Sequence, residues 1–100
     1  MSEKEQLYYL IIEVLKGNYE VKTFCNEFTR IFDLEIDYKV LSKVEYECLN
    51  ELADKAARFS NYEEDLKMPH VYFNEAQIIE EVKKTMSILE NEISHLHFRK

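Results

Sequence analysis

Three carboxylates, Glu47, Glu51 and Asp54, recur four and three residues apart. On a helix that spacing lines them along one side. Magnesium is usually held by one or two carboxylates together with water and phosphate oxygens. If Glu80 or Glu81 of a later helix came close, the set could hold Mg²⁺ and hydrolyse a nucleotide, as all-α pyrophosphohydrolases do. Carboxylate spacing is the only support for this chemistry. Exposed acids at such intervals are common on helices, and Lys43, Lys55 and Lys84 are available to pair with them. The chain has no Gly-rich phosphate loop, no GxSxG, no HExxH, and no serine or cysteine beside an evident base. His95 and His97 stand two apart, which points them to different sides of a helix; with His70 they give no ligand geometry. Cys25 and Cys48 lie on apolar stripes without a CxxC, so they read as buried free thiols. No enzyme, metal or cofactor is therefore expected. A divalent-metal hydrolase using Glu51, Asp54 and Glu80 is the alternative.

The same acids can serve binding instead. The stretch RFSNYEEDLKMPHVYF, Arg58 to Phe73, carries Glu63, Glu64 and Asp65 in a row, with aromatics on both sides and the only proline, Pro69. Connections in helical bundles take about 2–8 residues, and this one takes about 13, from Asn61 to Phe73. Binding residues tend to sit on loops held by a rigid scaffold. A ridge of carboxylates beside tyrosines suits a basic cleft, because acids speed association and tyrosines make desolvated anchors. Charge is concentrated here. Residues 35–65 hold nine acids against four bases, most of the net charge of −7. Such a balance disfavours nucleic acid, which needs clustered Lys and Arg, and favours a basic protein partner.

The elements that position these residues are helices. One glycine and one proline in 100 residues leave few turns for a sheet, and 46% apolar content supports one packed core. A single domain over 1–100 is expected. No apolar run reaches the roughly 18 residues of a membrane span. The opening MSEKEQ is unlike a secretory signal, so a cytoplasmic protein is expected. Ser2 with Glu5, Ser42 with Glu45 and Asn74 with Gln77 mark helix starts. Gly17 marks a left-handed stop. Helices are predicted near 3–16, 20–36, 43–60 and 75–97, as an all-α antiparallel four-helix bundle with a long acidic loop between the third and fourth helices.

The core is predicted from the apolar stripes. These are Leu7, Leu10, Ile11, Val14 and Leu15; Val21, Phe24, Cys25, Phe28, Ile31 and Phe32; Val44, Cys48, Leu49, Leu52, Ala53, Ala56 and Phe59; and Ala76, Ile79, Val82, Met86, Leu89, Ile93 and Leu96. Tyr8, Tyr9 and Ile12 widen the first stripe and could meet another helix in a regulatory or structural interaction module. Asp33, Glu35 and Asp37 gather at the end of the second helix, where the dipole disfavours them, which suggests a reason outside folding.

Two segments carry a family resemblance: LNELADKAARFSNYEEDLKMPHVYFNEAQIIEEVKKTM and, before it, KGNYEVKTFCNEF. With its Phe-rich second helix, this pattern resembles the bacterial self-protective, colicin-D-like immunity proteins. Related members protect against contact-dependent or secreted toxins. The resemblance spans most of the chain, and RFSNYEED is its most distinctive part. The chain departs from the family in the last turn of the third helix, where an acid is frequent and Ala57 and Arg58 stand here. What the resemblance implies is a small acidic bundle that binds and neutralises a cognate nuclease toxin, an RNase or tRNase, by filling its basic cleft. The expected partner is that toxin domain, with no nucleic acid and no membrane, and the free protein is a monomer or weak dimer. The expected contacts are Glu51, Asp54, Arg58, Tyr62, Glu63, Glu64 and Asp65. Glu63, Glu64 and Asp65 have no capping task on any of the four predicted helices. Failing this face, Asp33 and Glu35 on the second helix come next.

Overall fold

A computed structural model describes residues 1–68 and 71–98, with side chains described as far as Asn91 apart from that gap. His70 and the side chains of Ile93, His95, Leu96 and His97 lie outside the described residues. Helix α1, Glu3–Leu15, starts at the Ser2–Glu5 capping box, in which each residue satisfies the other's backbone N–H. It stops where Gly17 takes φ 82°, a conformation that side chains with a Cβ rarely adopt. Helix α2 covers Val21–Arg30, then widens into a π-turn over Ile31–Glu35, closed by the Ile36 N–H donating to the Ile31 carbonyl at 2.9 Å. A 3₁₀ turn, Tyr38–Val40, leads to α3, Lys43–Ala56. A four-residue turn of helix, α4, Glu63–Leu66, lies inside the predicted loop, and α5 runs Glu75–Phe98. Among the described residues the protein is all-α and contains no strand, only an isolated bridge between Phe59 and Phe73. No described helix is long and apolar enough to cross a membrane.

The core is the one the stripes predict, with a few exchanges. Phe24, Phe28 and Phe32 stack along α2 and the π-turn, with ring centroids 5.3 and 6.4 Å apart. Around them close Leu7, Ile11, Leu49, Leu52, Ile78, Val82 and Leu89. Aromatics bury large areas per residue, so this column supplies much of the driving force. Helix α3 packs on α5 and α2, and α1 packs on α2, the π-turn and α5. Both cysteines are buried and free; burial pushes the Cys25 thiol up to about 12 and Cys48 up to about 11.

Several sequence expectations are corrected. The second helix is not α-helical to its end; its last turn is the π-turn. The third helix ends at Ala56, short of Ser60, because the chain turns there to pair Phe59 with Phe73. Val44 is exposed and Glu45 takes the inner place, only 7% exposed. Its capping-box geometry folds it inward, where Tyr8 donates to its carboxylate and the Lys4 ammonium lies 3.0 Å away. Burial raises the Glu45 pKa, but the Ser42 backbone N–H, Tyr8 and Lys4 together outweigh it and hold the carboxyl below its ordinary value. Ala76 is exposed rather than inward, and the inner face of α5 runs through Ile78, Val82, Thr85 and Leu89. Two of the three acids closing the second helix have local tasks: Glu35 pairs with Arg30, and Asp37 caps the 3₁₀ turn by accepting from the Lys39 N–H at 3.0 Å.

Candidate functional site

The predicted binding residues come from two elements, α3 and α4, and the chain between them. Glu51, Asp54 and Arg58 lie exposed along the outer side of α3 and the turn after it. Their carboxylates are not a bare ridge. Glu51 lies 3.8 Å from Lys55 and 3.5 Å from Lys84, and Asp54 lies 3.5 Å from Arg58. Exposed pairs of this kind contribute about 0–1 kcal/mol each. Their larger effect is to neutralise this part of the face.

Lys55, which the sequence places on the outer face, instead reaches into the seam between α3 and α5. It donates to the buried Glu81 carboxylate at 2.7 Å, and its ammonium stands 5.9 Å from the centre of the Phe73 ring. That hydrogen bond, with the surrounding carboxylates, raises the Lys55 pKa. Of the residues considered for Mg²⁺, Glu51 and Glu81 thus pair with lysines and Asp54 with Arg58. Among the described residues no group of three or more His, Cys, Asp or Glu gathers in a way that could hold a metal ion.

The second part of the site is built differently. After Ala56 the chain pairs briefly with the segment leading into α5: the Ser60 N–H donates to the Phe73 carbonyl at 2.9 Å, and the Phe73 N–H to the Arg58 carbonyl at 3.0 Å. Phe59 and Phe73 pack partly buried against the core. Ser60, itself buried, then fixes the start of the next helix. Its hydroxyl donates to Asp65 at 2.7 Å and accepts from the Tyr62 N–H at 3.1 Å. Two bonds on one side chain thus hold both the residue that opens α4 and the carboxylate three residues further on.

Tyr62 is the residue just before α4 and is 75% exposed. Glu63, Glu64 and Asp65 occupy its first turn, where backbone N–H groups face them and acids are favoured. The sequence left these acids without a structural task, and that expectation is corrected. All three complement a helix start that the sequence did not show, and Asp65 is also the partner of Ser60. A four-residue helix has too little periodicity to be read from sequence, whereas Ser60 followed by an acid was a legible signal for a local side-chain clip. Among the described residues no ion pair engages Glu63 or Glu64, and both are exposed. Met68 and Val71 add exposed apolar surface on the same connection.

The arrangement therefore offers an exposed tyrosine on a fixed backbone beside two carboxylates without an ion pair among the described residues, next to acids largely paired with bases. No family model, curated protein or solved structure matches the chain.

Proposed function

We propose that this chain is an immunity-type protein that binds a cognate nuclease toxin and blocks its basic active-site cleft with the surface formed by α3, α4 and the chain between them. The observation that carries this is Tyr62. A tyrosine left three-quarters exposed beside acids without an ion pair among the described residues, on a backbone held by Ser60, offers an amphipathic contact from a fixed mount. Glu63 and Glu64 supply the unbalanced charge that draws a cationic cleft. A ribonuclease cleft is basic because it binds phosphate, so carboxylates can stand where phosphates would. The resemblance of RFSNYEED and its surroundings to colicin-D-like immunity proteins supports the same partner class.

Within this proposal the four longer helices form an antiparallel four-helix bundle, and the protein acts in the cytoplasm as a monomer or weak dimer, without catalysis, cofactor or metal. The test is a basic, toxin-like domain from a neighbouring reading frame, purified and mixed with this chain. Stable co-elution and suppressed RNA cleavage are expected. Failure of the two to associate, with the toxin still cutting, would remove the proposal. Mg²⁺ titration with a nucleotide panel separates out the hydrolase alternative: turnover lost on Glu51→Gln would favour it.

A further inference from the structure

The corner where α2 passes through the π-turn and the 3₁₀ turn into α3 has no part in the surface proposed above. Residues 34–46 hold five of the eleven large hydrophobic side chains that are exposed among the described residues: Leu34, Tyr38, Val40, Val44 and Tyr46. Scattered exposure is normal; here Tyr38 and Tyr46 lie against each other and against Phe32, and the other three stand near them along the chain. Leu34 is the most exposed of all eleven, at 81%. It sits in the π-turn, a rare form that recurs at functional sites.

The aromatic part of the patch is rigid. Tyr38 donates its hydroxyl to the Phe32 carbonyl at 2.9 Å, and its ring lies 5.1 Å from the buried Phe32 ring. Tyr46 packs 5.2 Å from Tyr38 and 6.1 Å from Phe32. Two tyrosines fixed from beneath and open above are pre-ordered contact area. A shallow depression of about 330 Å³ lies at the edge, lined by Asn26, Thr29, Arg30, Asp33 and Leu34.

Charge selects the occupant. Across 27–47 acids outnumber bases six to three. Glu27 and Glu35 share the single Arg30, and Glu45 is buried on Lys4. Asp33 and Glu47 stand exposed with no ion pair among the described residues. Asp33 stands between Phe32 and Leu34 in the π-turn; burial, with that carboxylate, raises the Tyr38 pKa. Lys39 and Lys43 stand on the same stretch without an ion pair among the described residues, yet acids remain in excess, so a basic partner is favoured over a second copy of like net charge.

We propose that this corner is a second docking face, distinct from the one on α3 and α4, for a basic amphipathic segment of a partner protein. Its apolar side chains lie on Leu34, Tyr38 and Tyr46, and its Lys or Arg heads meet Asp33 and Glu47.

The test uses the full chain, ¹⁵N-labelled, titrated with a synthetic Lys/Leu peptide whose leucines follow helical spacing. A Glu/Leu peptide of the same pattern and a leucine-free Lys peptide are the controls. Saturable shifts centred on residues 33–46 with the Lys/Leu peptide alone are expected. Leu34→Ser and Tyr46→Ser should each weaken them by roughly tenfold, the effect of losing one anchor. Leu34 is so exposed that Leu34→Ser should melt where the parent does. The charge reversal Glu63→Lys, Glu64→Lys, Asp65→Lys should leave this binding intact, so its fate is separate from that of the toxin surface. Equal binding of the Glu/Leu peptide, shifts centred on 51–65, or a dimer abolished by Leu34→Ser would each overturn the proposal.

Discussion

Glu51 and Asp54 on α3 and Glu63 and Glu64 on α4 carry the same charge on neighbouring parts of the chain, yet their surroundings differ. The first pair lies among Lys55, Arg58 and Lys84, close to the seam where Lys55 meets the buried Glu81. The second pair sits at the head of a short helix, beside an exposed tyrosine and without a basic partner among the described residues. Acids of the first kind are paired with bases, Glu51 with Lys84 of α5 and Asp54 with Arg58 of its own segment. Those of the second kind contribute little to the fold and leave their field unbalanced. Net charge in a sequence does not separate the two. Only the positions of the bases do.

The largest effect should come from reversing charge on the unpaired side. Glu64→Lys should weaken toxin binding by roughly 2–5 kcal/mol if the acid meets a base in the interface, the scale for a broken interfacial charge pair. It should change folding stability by no more than about 0.5 kcal/mol, as surface substitutions do. Calorimetric titration against the toxin domain, with thermal melting as control, measures both. Equal losses from Glu51→Lys and Glu64→Lys would erase the contrast between the two acid groups.

On the paired side the loss should appear in stability. Lys55→Ala strands the Glu81 carboxylate, only 7% exposed, and should cost about 1–3 kcal/mol, the penalty of a buried polar group without its partner. Adding Glu81→Gln should recover part of that loss. Denaturant melts of the two single variants and the double variant form the cycle that checks it.

Ser60→Ala should cost roughly 1 kcal/mol, since one hydroxyl serves both Tyr62 and Asp65. Because it loosens the mounting of Tyr62, it should also shorten the lifetime of the complex. Tyr62→Ala should raise the dissociation rate more than it slows association, with stability nearly unchanged. If Ser60→Ala alters stability and leaves dissociation untouched, the clip is structural only.

The smallest effect concerns the acid that α3 folds inward. Glu45 has a folded-state pKa below its ordinary 4.5, so its stabilisation is complete above that value and is lost as pH falls beneath it. Melts at about pH 5 and about pH 3 should show a smaller acid loss for Glu45→Gln than for the parent. An identical slope in Glu45→Gln would show that other carboxylates govern acid unfolding.

Much of this protein was determined locally and was readable from the sequence. The capping boxes at Ser2 and Ser42, the reciprocal pair Asn74–Gln77, the stop at Gly17 and the phenylalanine column are short-range patterns whose physics does not depend on distant partners. All-α class and most of the core derive from them. The exposed acids of α3 and α4 were legible as a charged stretch for the same reason.

Tertiary structure decided the rest. The π-turn after Arg30 is not written in periodicity, because it adjusts one turn to keep Ile31 and Phe32 buried against α1 and α3. The capping box turns Glu45 inward, and Tyr8 and Lys4 of another helix receive its carboxylate there. Lys55 turns from the surface into a seam because α5 brings Glu81 to it. The bridge from Phe59 to Phe73 ends α3 early and creates α4, which turns a run of acids into a helix head. In each case the choice rests on a partner far along the chain, and pairing between distant segments is what a local pattern cannot encode.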